Sequence, residues 1–204
     1  VVYKNVLFIC LDYKEKFDYA GKIALGLAFL ATKNNEKIHF ATFSDKLEIY
    51  RGDKGKRPVL SMIDHINKLK PEKKMSLKEV LRRYKSMLHS RSYVAIVSDY
   101  LYPKQEIEDA LRILGTNHTV KNIQIMHEDE KKMTLEGDYK FMDIENDLDL
   151  RTYISPKSKE QYLKRLEKHT QDIKEFCQNH RMSFTALTTN TTVFEAVASV
   201  IGQY

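Results

Sequence analysis

Three things are scarce or missing in this chain, and each narrows what it does. Cysteine comes first: two in 204 residues cannot build a disulfide framework. Cys10 sits in an apolar strand-like run and Cys177 on a helical apolar face. Both places suit a small buried hydrophobe in a reducing compartment better than a disulfide. Long apolar runs are the second absence, since none approaches the ~18 residues that span a bilayer. With no signal peptide visible either, the expectation is a cytoplasmic domain, membrane-associated only through segments outside this chain. It starts at Val1 rather than Met and enters a strand within five residues, as an excised domain does. The third absence is catalytic and metal apparatus. No G-x-S-x-G, Walker loop or G-x-G-x-x-G occurs, so the usual nucleophile and phosphate cradles are missing. The seven histidines form no H-x-x-x-H or H-E-x-x-H, and no cysteine joins them at ligand spacing.

What remains is an ordinary globular balance, 42% hydrophobic and 30% charged, enough for a packed core. The net charge is +6. Its 25 lysines and 9 arginines are spread along the chain with acids between them. Readers of nucleic acid lean on arginine and on clustered patches, so a solvated lysine-rich surface is expected and no specific nucleic-acid partner. No internal repeat or low-complexity tract appears.

Short apolar runs predict strands at 5–11, 38–43, 47–51, 93–98, 122–127 and 183–188. Most are apolar on both faces, as in a sheet covered by helices on each side. Helical periodicity marks 18–33, about 60–69, 77–88, 107–114, 156–180 and 192–202. Ser76 with Glu79 and Thr192 with Glu195 predict capping boxes. Ser155-Pro156 opens the long helix and Gly115 closes the fourth. Strands alternating with helices give a three-layer, doubly wound, mainly parallel α/β sheet. Only 38–43 and 47–51 are linked too tightly for a crossover, so they predict an antiparallel edge hairpin. Residues 128–155 are polar and acidic, with a small hairpin at 139–144 and 150–154, and read as an insertion on a single domain spanning 1–204.

Ligands of such sheets sit beyond the carboxyl ends of the strands. The polar residues there are Asp12, Ser44, Asp45, Ser98, Asp99, His127, Asp129 and Thr188 to Asn190. Asp12 and Asp99 follow the two most apolar strands. If those strands are neighbours, two carboxylates converge and need a cation or a shared proton. The cation is a metal, or it is Lys14 or Lys16. Tyr100 and Tyr102 stand at the same edge, where exposed tyrosines suit a protein interface. Arg51-Gly52-Asp53 reads as a turn after a strand, and His169 as a satisfied core or interface histidine.

The order of strand and Asp12, an Ala/Gly-rich helix, I-H-F-A-T-F-S-D (38–45), R-G-D-K-G-K-R (51–57) and S-D-Y-L (98–101) resembles a von Willebrand factor A-type domain. More narrowly it is similar to a prokaryotic subgroup catalogued as a domain of unknown function and often encoded beside MoxR-type AAA+ ATPases. G-D-Y-K-F-M-D-I-E (137–145) and His169 in the long helix fit as well, so the resemblance covers about 5–202. It implies a metal-ion-dependent adhesion site, with Asp12 at the first aspartate and Asp99 at the last. Lys14 and Lys16 fall where that site has serines, Met75 where it has threonine, and Ser76 where it has an acid. Magnesium wants an octahedron of oxygens. Two ammonium groups and a thioether remove ligands and repel a dication, so magnesium is disfavoured and no cofactor is expected. The expected site is degenerate, with Lys14, or less readily Lys16, neutralising Asp12 and Asp99. The resemblance implies a non-enzymatic protein-interaction domain, partner of a MoxR-type AAA+ ATPase in complex assembly or maturation. The alternative is a magnesium-dependent, aspartate-based enzyme or receiver-like phospho-acceptor using Asp12 and Asp99.

Overall fold

The computed structural model describes residues 4–10, 14–43, 47–51, 59, 62–64, 66, 76–88, 90–135, 137–143 and 148–202. Six strands form the main sheet: β1 (Lys4–Cys10), β2 (Ile38–Phe43), β3 (Leu47–Arg51), β4 (Ser92–Ser98), β5 (Thr119–Met126) and β8 (Ser183–Thr188). They lie in the order β3-β2-β1-β4-β5-β8. Only β2 and β3 pair antiparallel; every other pairing is parallel. The expected doubly wound sheet with one antiparallel edge hairpin is therefore the observed one. The helices are α1 (Lys14–Lys33), α2 (Leu77–Lys85), α3 (Lys104–Leu114), α4 (Glu128–Lys132), α5 (Pro156–Asn179) and α6 (Val193–Gly202). The polar stretch after β5 holds α4 and an antiparallel hairpin, β6 (Gly137–Asp143) with β7 (Leu148–Ile154).

Alternate residues of β4 feed two separate cores, which is why this strand is apolar on both faces. In β4, Val94 and Ile96 join α2, α3 and α5 on one face. Ala95 and Val97 join α1 and α6 on the other. All four are fully buried, and burying a side chain such as Ile96 contributes about 1.5–3 kcal/mol. Of the segment expected to be helical at 60–69, residues 62–64 and 66 are described and are helical. Met62 and Ile66 complete the α1 core. Cys177 is a free thiol buried in the opposite core, pushed up to about 12 by burial, against a hydrogen bond from Asn122.

Two expectations about caps hold and one does not. Ser155 and Ser158 cap α5 reciprocally at 2.8 and 3.1 Å, and Thr192 and Glu195 do the same for α6. The Ser76 side chain makes no cap bond on α2. Glu79 is drawn one turn on to Arg83, and the α2 N-terminus receives Glu106 instead, which accepts from Leu77 N at 3.2 Å. Several boundaries also moved, two of them for reasons that matter here. β5 begins at Thr119 because Lys121, which interrupts the apolar run, is itself buried, its ammonium donating to the Val200 carbonyl. α1 begins at Lys14 rather than at 18, for a reason that lies in the site.

Helices α1 and α6 approach closely at Gly26. A Cβ built there meets Val197 Cγ2 at 2.8 Å, and a β-branched side chain in a helix has one strongly preferred rotamer. Alanine's helix advantage of about 1 kcal/mol competes with overpacking of about 1–3 kcal/mol. Gly26→Ala should lower the thermal midpoint, and Gly26→Ala with Val197→Ala should recover most of the loss in a calorimetric double-mutant cycle.

Candidate functional site

Neighbouring β1 and β4 run parallel, with Cys10 opposite Ser98. The chain leaves β1 toward β2 on one side, and leaves β4 toward β5 on the other. Their carboxyl ends thus form the topological switch point, where such sheets open a crevice. Asp99 follows β4 directly and is buried. Asp12, Met75, Ser44, Asp45 and Gly52-Asp53 lie outside the described residues.

The first turn of α1 points Lys16 into this crevice, where it is 2% exposed. Its ammonium lies 3.3 Å from Asp99 Oδ2 and 2.9 Å from Glu130 Oε1. Removing an ammonium from water is costly and ordinarily drives its proton off. Burial does push this group down, but the Asp99 and Glu130 carboxylates outweigh it and hold Lys16 above its ordinary value of 10.5. Sequence periodicity counts lysine as surface, which is why α1 reads as starting late. The expected order of the two lysines is corrected here: Lys16 neutralises Asp99, while Lys14 is exposed.

Each carboxylate is fixed a second time. Asp99 Oδ1 accepts from Leu101 N at 3.2 Å, closing the turn after β4. The Asp99 carbonyl accepts from Gln124 Nε2 at 3.0 Å, and Thr170 of α5 donates to Gln124 Oε1. Glu130 Oε2 accepts from His127 N at 2.8 Å, the capping-box bond that starts α4. His127 Nδ1 accepts from Asp129 N, which leaves Nε2–H to face Glu15 at 3.1 Å. Glu15 is 79% exposed, so that outer contact contributes little. Tyr162 of α5 stands nearby, half-buried, its hydroxyl pushed up by burial and by Glu130, with Lys16 opposing.

Tyr100 corrects another expectation. It is fully buried rather than presented at an interface. Its φ of +55° is left-handed, a conformation that costs a non-glycine residue about 1–3 kcal/mol and persists only where neighbours over-determine it. They do so here. Tyr100 N donates to Ser98 Oγ at 3.1 Å, and its hydroxyl donates to Asn122 Oδ1 at 2.8 Å. His169 Nε2–H donates to its carbonyl at 2.8 Å, so His169 is a satisfied structural histidine. Turning Tyr100 inward leaves Leu101, 43% exposed, at the crevice rim. Tyr102 is half-buried against the core. Ser76 is exposed at the start of α2. Sequence reasoning missed Glu130, although its neighbours His127 and Asp129 were placed at the strand end. The one available signal was the H-x-x-E spacing of a capping box after β5.

The match to known families is decided over residues 10–172, which fit the family described as protein of unknown function DUF58. The chain belongs to the DUF58 family. No curated protein matches it. Among solved structures, the DUF58 chain is similar to an aerotolerance-related membrane protein from Bacteroides fragilis at TM-score 0.58 and 8% identity, over 97% of this chain and 96% of that one. It is also similar to the conserved hypothetical protein BatB from Bacteroides thetaiotaomicron at TM-score 0.54 and 10% identity, over 98% of each. A von Willebrand factor type A protein from Catenulispora acidiphila aligns at TM-score 0.57 and 6% identity, over 98% of this chain and 41% of that one. At such identities the likeness is one of fold: the DUF58 chain has a von Willebrand A-like fold. No helix among its described residues is long and apolar enough to cross a membrane.

Removing one partner of a buried ion pair strands the other charge, at about 3–5 kcal/mol. Lys16→Met should therefore destabilise the protein by about 3 kcal/mol in urea unfolding at pH 7. The sign with pH follows from the raised folded-state value. The contribution of Lys16 is complete below its ordinary 10.5 and is lost as pH rises from there through the higher folded value. On the alkaline side, wild type should lose its advantage over Lys16→Met across that window.

Proposed function

We propose that this DUF58 chain is a non-enzymatic protein-interaction domain whose adhesion-type site works without a metal, an internal ammonium holding the carboxylates in place of a dication. The observation that supports the reading is the buried Lys16, Asp99 and Glu130 cluster at the switch point. A magnesium ion wants several oxygen ligands at about 2.0–2.1 Å. Asp99 instead offers one oxygen to Lys16 and the other to the Leu101 amide. Among the described residues no group of three or more histidine, cysteine or acidic side chains is arranged to hold a metal. On this reading Lys16 takes the place a magnesium ion would have beside Asp99.

Lys16, saturated and buried, is a positioning residue that locks the first turn of α1 to the turn after β4 and to α4. Lys14 is exposed one half-turn away, and is the group that would receive a partner's carboxylate through a charge-assisted hydrogen bond. Leu101 adds apolar surface beside it. The same cluster argues against the alternative in which Asp12 accepts a phosphoryl group and Asp99 holds its magnesium, because both Asp99 oxygens are already engaged, one by Lys16 and one by the Leu101 amide. The family resemblance supplies the partner class, a MoxR-type AAA+ ATPase.

Surface plasmon resonance against a MoxR-type ATPase from the same genome tests the reading. Lys14→Glu should weaken binding by at least about tenfold, while Lys33→Glu at the far end of α1 should not. Unchanged binding by Lys14→Glu would remove that residue from the docking site.

A further inference from the structure

A second recess runs from Gln124 and Thr170, which brace Asp99 from behind, out to the margin of the sheet at β8. Helix α5 buries only Ile173, Phe176 and Cys177, all in its carboxyl-terminal half. Its amino-terminal half stands off the sheet, with Leu163 and Leu166 half-buried. Beneath and beside it is an open groove of about 1130 Å³, at or above the upper end for small-molecule pockets. Its apolar floor includes Met126 and Phe184, 5% and 6% exposed.

Four consecutive residues of β8, Phe184–Leu187, line this groove. Successive strand residues point to opposite faces, and here Phe184 belongs to one core and Leu187 to the other. A groove touched by all four is therefore wrapped around the edge of the strand rather than laid on a face. β8 is the terminal strand of the sheet among the described residues. Exposed sheet edges are normally blunted by a charge, a proline or a bulge. The sequence S-F-T-A-L-T of β8 carries no charge and no proline. Its centre, Ala186, is exposed. Among the described residues no further strand pairs with it.

The charge around it has one sign. Lys131, Lys164, Lys168 and Lys174 line the groove, against Glu167 alone among the acids. Lys164 is held by Glu160 at 2.6 Å. Lys131, Lys168 and Lys174 are exposed. We infer that this groove is a peptide-binding surface, taking an extended, acidic segment of a partner protein that adds to β8 as a further strand. Backbone hydrogen bonds to the edge give affinity, alternate apolar side chains enter the floor between α5 and β8, and acidic side chains meet the lysine rim. Lys14 does not line this groove, and the inference does not depend on that residue.

The test is selection from a random peptide library displayed on phage against the intact chain. The best peptide is then synthesised and measured by fluorescence anisotropy. Enriched peptides should be net acidic with alternating apolar residues. Lys168→Glu with Lys174→Glu, both exposed and expected to leave folding intact, should weaken the peptide by at least about tenfold, and Lys14→Glu should leave it unchanged. A version of the peptide N-methylated at alternate residues should lose binding, since it cannot donate to a strand edge. No enrichment, enrichment of neutral or basic peptides, or indifference to the double substitution overturns the inference. So does undiminished binding of the N-methylated peptide, or equal competition by single-stranded DNA, which would mark a general polyanion surface.

Discussion

The carboxyl edge of this sheet depends on one buried cation. Lys16 is fully enclosed and carries its charge between Asp99 and Glu130. Three segments far apart in sequence meet at that nitrogen: the start of α1, the turn after β4 and the start of α4. A buried ammonium is tolerable only with such partners, and a lone buried carboxylate would be equally costly. The arrangement is therefore all or nothing. Either the three segments close around the charge together, or each keeps its own charge in water. The strained Tyr100 depends on the same closure, since its neighbour Asp99 is held by Lys16 while His169 and Asn122 hold Tyr100 itself.

A cation supplied by the chain differs from one supplied by solution. A bound dication leaves a coordination position for a partner's carboxylate, and its occupancy varies with metal concentration. An ammonium gives its hydrogen bonds to the carboxylates already present and stays with the fold. In this DUF58 chain the crevice is closed by its own cation, and in the interaction reading proposed above recognition falls to what surrounds it. Those surroundings include Lys14 and Leu101. The β8 edge, some strands away, carries its own lysine rim.

Much of this was legible in the sequence, and each failure has a physical cause. The alternation of Val94 and Ile96 against Ala95 and Val97 identified a strand covered on both sides, and the short 43–47 link identified the antiparallel edge. Asp99 was legible because it ends a wholly apolar run. Lys16 was not, because lysine counts as surface in any periodicity. With α1 beginning at 18, Lys14 and Lys16 both read as loop residues, and Lys14 was preferred. Once the helix begins at Lys14, the two are about 200° apart around it, and only one of them faces the sheet. Lys121 hid the start of β5 for the same reason. Glu130 lies 114 residues from Lys16, and no local pattern carries a pairing of that range. Tyr100 was misjudged because an aromatic after a strand end ordinarily points outward. Here a left-handed backbone turns it in.

The central claim is that Lys16 is the resident cation of this crevice. Heteronuclear NMR of its side-chain nitrogen, titrated with pH in the presence and absence of millimolar Mg²⁺, tests that most directly. The account predicts an ammonium that stays protonated beyond its ordinary 10.5 and whose signal does not respond to magnesium. A lysine that deprotonates below that value, or whose signal moves as Mg²⁺ displaces it from Asp99, would contradict it.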